Sequence, residues 1–113
     1  MSRDPRGALE DMAEACERAA SFVAGMDFAA FVADAKTRSA VQRELFVLGE
    51  ACKQLPADLL EGHPEVPWRA ISGLRDVLAH QYFRVDDSIV WDVTQNELPR
   101  LRVVPARMLG SAA

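Results

Sequence analysis

The chain has 113 residues, half of them apolar, with 13 basic and 17 acidic side chains and a formal net charge of −4. That length fits one domain with one modest core, and a chain this small gains from a partner or second copy that covers more surface. The acidic balance excludes a general nucleic-acid coat, which carries an excess of Lys and Arg, while leaving room for a local basic cleft. No apolar run approaches a membrane span. None follows the charged opening MSRDPRGALEDM, so no export signal is expected. Cys16 and Cys52 stand alone on separate segments, without a CxxC spacing. They read as small core hydrophobes of a reducing, cytoplasmic compartment rather than as a disulfide or metal pair.

In chain order, Asp4 can cap a first helix and Pro5 suits its first turn. Leu9, Met12, Cys16, Ala19 and Val23 recur at three- and four-residue steps, one face of that helix. Gly25 is a natural stop. Asp27 can cap a short helix, FAAFVA, ending near Asp34, with Phe28 and Phe31 docking it. A longer helix spans roughly Asp34 to Leu55 with the stripe Val41, Leu45, Leu48, Cys52 and Leu55. Gly49 lies inside it at a cost of about 1 kcal/mol relative to Ala, a mark of close helix–helix approach. Pro56 ends that helix or opens a short turn, ADLLEGH, and HPEVPW is a connector. Pro67 starts the next helix, WRAISGLRDVLAH, whose stripe is Trp68, Ile71, Leu74 and Leu78. Asp86 or Asp87 caps another through Ile89, Val90 and Val93. Pro99 and Pro105 are expected to break up the C-terminal part, and the tail from about 106 to 113 to fray. With no alternating strand pattern, the expectation is a single all-α domain over residues 1–113. Its architecture is an up-and-down bundle of four to five helices.

The stretch RDVLAHQYF, Arg75 to Phe83, holds one of the two histidines and the only tyrosine. On a helical wheel Leu74 and Leu78 face the core, and Arg75 and Tyr82 nearly eclipse beside that stripe. His80 falls about 140° from Arg75, on the outward side with Gly73 and Val77. One straight helix does not aim all three at one point. Either the helix ends near His80 and the chain turns, or the outward side meets a second subunit. Two-fold pairing of that side would set two copies of Arg75 and His80 around one cleft. Histidine trades protons near neutral pH, and arginine stays charged and grips phosphate oxygens with a fork of donors. Together they suit metal-independent RNA cleavage, in which a 2′-hydroxyl attacks the neighbouring phosphorus and arginine stabilises the added negative charge. His63 and His80 lack ligand spacing, so no metal site and no cofactor is expected. The same residues can instead satisfy carbonyls, cap a helix dipole and pack, and spacing alone favours that plainer role.

Larger segments say more than the spacing. GMDFAAFVADAKTRSAVQRELFVLGEACKQLP, HPEVPWRAISGLRDVLAHQYFRVD and IVWDVTQNELPRL, in that order and at that spacing, resemble the HepT-like branch of the HEPN superfamily. Its members are toxins of the HepT–MntA toxin–antitoxin type. The family motif is Arg, a polar residue, three more residues, His, any residue and Tyr. Arg75, Asp76, His80 and Tyr82 match it position by position. The resemblance implies a helical bundle of HEPN type that pairs through the motif helix into a two-fold homodimer, larger assemblies being left open. It implies a type VII-like system in which Arg75 and His80 are the ribonuclease residues. Tyr82 would accept AMP units from ATP, transferred by an MntA-like minimal nucleotidyltransferase antitoxin. One position departs: the polar residue, often Asn in the family, is Asp76. An ionised carboxylate only accepts hydrogen bonds and adds negative charge to an RNA site. It is expected to pair with Arg75 or His80, in the latter case raising the histidine pKa. The alternative reading is a non-catalytic nucleotide- or RNA-binding module acting through its nucleotidyltransferase partner.

Arg69 and Arg84 are candidates for collecting RNA phosphates, with ordinary solvated charge as the rival reading. Trp68 and Trp91 sit in apolar helical patterns and read as packing rather than as base-stacking platforms. Lys36, Arg38 and Arg43 read as a solvated basic face, and His63 as a loop residue.

Overall fold

Asp4 opens the first helix with its carboxylate accepting from the Arg6 N–H at 2.9 Å, and Pro5 occupies the first turn, where a missing N–H costs nothing. The computed structural model describes residues 4–80 and 86–112, the side chains of 106, 111 and 112 excepted. Helix α1, Pro5–Val23, buries Ala8, Leu9, Met12, Ala15, Cys16, Ala19 and Val23, the expected stripe with two alanines added. Gly25 turns the chain at φ 79°, a conformation open to glycine. Helix α2, Phe28–Ala33, starts on Asp27, which accepts from the Ala30 N–H at 2.8 Å. Helix α3, Ala35–Lys53, starts on Asp34, which accepts from the Thr37 N–H at 3.0 Å and the Thr37 hydroxyl at 2.7 Å. Those bonds hold the Asp34 carboxyl below its ordinary pKa.

A short helix α4, Ala57–Glu61, stands where a turn was expected. The connector after it is pinned by Trp68, whose indole N–H donates to the Leu60 and His63 carbonyls at 3.1 and 3.0 Å. Helix α5 runs Trp68–His80, the span expected from WRAISGLRDVLAH. Helix α6, Asp87–Asp92, is capped by Asp86 through the Ser88 N–H at 2.8 Å. It passes through a π-helical turn, Val93–Glu97, into α7, Leu98–Ala112.

The expectation that Pro99 and Pro105 interrupt this part is corrected: α7 contains both. The Leu98 N–H bonds to the Val93 carbonyl, a five-residue step that widens the helix immediately before Pro99, whose ring cannot join the ordinary ladder. Pro105 is fully buried in the core with Leu98 and Leu101 on the same helix. A mid-helix proline costs about 3 kcal/mol or more, and burial of that apolar face outweighs it. The helix also extends into the tail assigned to fraying, and Met108 there is buried.

Helix α1 packs on α3 on one side and α7 on the other, and α3 packs in turn on α5. Val41, Leu45, Leu48 and Cys52 of α3 are all buried between those layers, each large aliphatic being worth about 1.5–3 kcal/mol. Phe31 docks α2 with its ring 5.3 Å from Trp91 of α6. Glu17 and Arg102 tie α1 to α7 through two parallel bonds of 2.8 and 2.9 Å. Both cysteines are buried and free. Among the described residues there is no strand, and no helix is long and apolar enough to cross a membrane.

Candidate functional site

The site begins at Gly49. A Cβ placed there would lie 2.3 Å from Arg75 Cβ and 3.0 Å from the Ile71 carbonyl oxygen, so α3 and α5 touch where only glycine fits. This contact brings one face of α3, Phe46, Glu50 and Lys53 at four- and three-residue steps, against Arg75 and Asp76 of α5.

Three groups hold the Arg75 guanidinium. It lies over the Phe46 ring, 5.1 Å from the centroid, a cation–π arrangement. Its Nε forms an ion pair with Glu50 Oε1, and this nitrogen is buried with its N–H aligned to no acceptor. Its Nη1 donates to Asp76 Oδ1 at 3.2 Å. The side chain as a whole is 23% exposed, so its stem is packed and the end of its fork reaches the surface.

Asp76 has a second partner, Lys53 Nζ, at 2.5 Å. The hydrogen bond from Lys53 first, and then the one from Arg75, hold the Asp76 carboxyl below its ordinary pKa. Of the two expected partners, Asp76 therefore pairs with Arg75. His80 ends α5 and is exposed, and among the described residues no side chain holds it. The extra charge of Asp76 is balanced within the cluster, because Lys53 and Arg75 face Glu50 and Asp76.

Tyr82 and Arg84 lie outside the described residues. Arg69 is exposed but falls about 120° around α5 from Arg75 and nearly two turns away, so it does not join the cluster. Trp68 is buried, and Trp91 packs against Phe28 and Phe31. Arg38 pairs with Asp87 at 3.7 Å and Arg43 with Glu44 at 2.9 Å, which ties part of the basic face into the bundle. Among the described residues no cluster of His, Cys, Asp and Glu has the arrangement to hold a metal ion.

The sequence reading missed Phe46, Glu50 and Lys53. Their one trace was Gly49, which signals a neighbouring helix without naming it.

Beside the cluster, α5 and the α6–α7 run stand apart. A groove of about 320 Å³ separates them, lined by Ile71 and Leu74 of α5 and by Ile89, Val93 and Glu97 across from them. Ile89 is 56% exposed and Val77, on the outward side of α5, 38%.

With a seated arginine and an exposed histidine on one helix and an apolar groove beside them, the structure is that of an all-α bundle protein. The family model described as "Ribonuclease HepT-like" matches residues 12–108, and the chain belongs to that family. It is 41% identical over 102 residues to the protein named "Probable ribonuclease HepT" of Thermococcus cleftensis, covering 90% of this chain and 93% of that one. It is 41% identical over 97 residues to a "Putative RNase" of Methanocaldococcus jannaschii, covering 86% and 80%. It is 40% identical over 99 residues to a "Putative RNase" of Caldanaerobacter subterraneus subsp. tengcongensis, covering 88% of each. No solved structure gives a significant match.

Proposed function

We propose that this chain is a cytoplasmic toxin of a type VII-like toxin–antitoxin pair, a metal-independent endoribonuclease that acts as a two-fold homodimer. The observation that carries the reading is the seat of Arg75. Phe46, Glu50 and Asp76 fix the guanidinium from three sides, and its outer edge is left to meet a phosphate. The 2′-hydroxyl of the substrate attacks the adjacent phosphorus and the bond to the 5′-oxygen breaks. His80 moves a proton as general acid or base, and Arg75 stabilises the charge that accumulates on the phosphoryl oxygens. The products end in a 2′,3′-cyclic phosphate and a 5′-hydroxyl.

His80 points about 140° away from Arg75 on α5, so one chain by itself does not close the site. The exposed Val77 and Ile89 and the groove beside them support pairing of this face with a second copy. The relatives named as ribonucleases support the activity. AMP transfer to the Tyr82 hydroxyl by an MntA-like nucleotidyltransferase would silence it, because the added phosphodiester would occupy Arg75.

The test is RNA cleavage in excess EDTA by the unmodified protein and by His80→Ala. Cleavage by the first and none by the second, with cyclic phosphate ends, is expected. Strictly 3′-hydroxyl ends would refute the mechanism. No cleavage by unmodified protein, with RNA still bound, would establish the binding-module alternative.

A further inference from the structure

We infer that Glu50 is a positioning residue of this site: its carboxylate fixes the rotation of the Arg75 guanidinium so that the outer edge of the fork is the one presented to phosphate. The need for such a residue follows from the geometry of the seat. A guanidinium has five N–H donors in one plane. Phe46, beneath it at 5.1 Å, attracts the cation without a directional bond to any one of its nitrogens. Asp76 holds Nη1 at 3.2 Å, yet the same oxygen accepts from Lys53 at 2.5 Å, and Asp76 is about half exposed. Glu50 is the carboxylate beside the inner nitrogen, Nε, which is buried and makes an ion pair with it rather than an aligned hydrogen bond. With Nε held beside Glu50 and Nη1 on Asp76, Nη2 is the terminal nitrogen left without a protein partner among the described residues.

The Gly49 contact makes this placement rigid. It locks the register of α3 against α5 one residue before Glu50, so the carboxylate and the arginine stem are held on backbones that cannot slide. The balance of two cations and two carboxylates also means that a phosphate is captured by aimed donors rather than by net positive charge, which makes orientation decisive.

The role in RNA cleavage rests on the ribonuclease reading above; the positioning itself does not. Two readouts separate them. The first is the Arg75 Nε–H resonance in an isotope-labelled sample, identified by its loss in Arg75→Lys. Glu50→Gln is expected to shift this resonance and speed its exchange with water, and Glu50→Asp to restore it in part. The second is steady-state cleavage of a short RNA. Glu50→Gln is expected to lower kcat about 10- to 100-fold, the scale of loss on misplacing a catalytic group by an ångström, with KM changing less than about threefold. In an Arg75→Ala background the same change should cost nothing further, whereas damage to the fold would add in full.

The inference is overturned if Glu50→Gln leaves both the resonance and kcat at parent values. It is overturned equally if the variant is faster, since Glu50 would then be a competitor of phosphate, or if its loss adds fully to that of Arg75→Ala. If the parent protein cleaves no RNA, the ribonuclease reading fails, and the resonance alone decides the position of Arg75.

Discussion

Replacing Gly49 with alanine sets two effects of known size against each other. Alanine is the better helix former by about 1 kcal/mol in a helix interior. Its methyl would fall 2.3 Å from Arg75 Cβ, some 1.1 Å inside the 3.4 Å at which ordinary contact begins, and 3.0 Å from the Ile71 carbonyl oxygen. Neither neighbour is a flexible tip: one is the first side-chain carbon of Arg75 and the other is backbone, so α3 and α5 must separate. Overpacking of this kind costs about 1–3 kcal/mol. The expected net loss is therefore about 1 kcal/mol, or about 4 °C in Tm for a domain of this size. On the ribonuclease reading proposed above, activity should suffer more than stability, because the displaced carbon carries the guanidinium. A shift of about 1 Å at such a group costs on the order of 100-fold in rate. Thermal unfolding and RNA cleavage on the same preparation check this. A Gly49→Ala protein that melts higher and cleaves at the parent rate would refute the account of the α3–α5 contact.

Other outcomes follow from the same geometry. The Asp76 carboxyl is held below its ordinary 3.8 by Lys53 and then by Arg75. Its contribution to stability is present above that value and is lost as pH falls through the lower folded one; Lys53→Ala should flatten this acid limb in unfolding curves taken from pH 5 downward, and an unchanged limb would show that Lys53 contributes nothing there. Ile89→Asp places a charge on the exposed apolar edge of the groove. On the two-fold pairing proposed above, it should sediment as a monomer where the parent sediments as a dimer and cut cleavage at least tenfold at low protein concentration, whereas equal masses for parent and variant would remove this face from the interface. Burial pushes the Cys16 thiol up to about 12, so native protein at pH 8 should leave it unlabelled by a thiol reagent over an hour while unfolded protein reacts at once; rapid native labelling would contradict its burial.

What the sequence made legible was what local chemistry decides. The caps at Asp4 and Asp27, and the one left between Asp86 and Asp87 that falls on Asp86, each accept from an N–H two or three residues on, so each is written within a few letters. The stripes of α1 and α3 and the full span of α5 followed from periodicity for the same reason. The C-terminal part was misread because proline propensity is a local cost, and Pro105 lies where tertiary burial exceeds it. At the site, the motif singled out Arg75, Asp76 and His80 as candidates, but nothing in it named the groups that hold the first two. The pairs of Glu50 with Arg75 and of Lys53 with Asp76 join residues 25 and 23 positions apart. Ion pairs across helices leave no period, so charges on an exposed face read alike whether or not they have a distant partner.

The π-helical turn at Val93–Glu97 constrains how the chain can change in length. Such a turn accommodates one residue more than the α ladder requires. Deleting a single residue there would restore the regular ladder with the two flanking halves still in phase, whereas the same deletion elsewhere in α6 or α7 would rotate everything beyond it by about 100°. Two docking faces depend on that phase: Trp91 before the turn meets Phe31, and Leu98, Leu101 and Met108 after it are buried in the core. A one-residue deletion inside the turn keeps both, and one in the regular helix on either side loses one of them. The segment is thus a phase adapter between two halves of one helical run, the place where that run can lose a residue without losing either docking face.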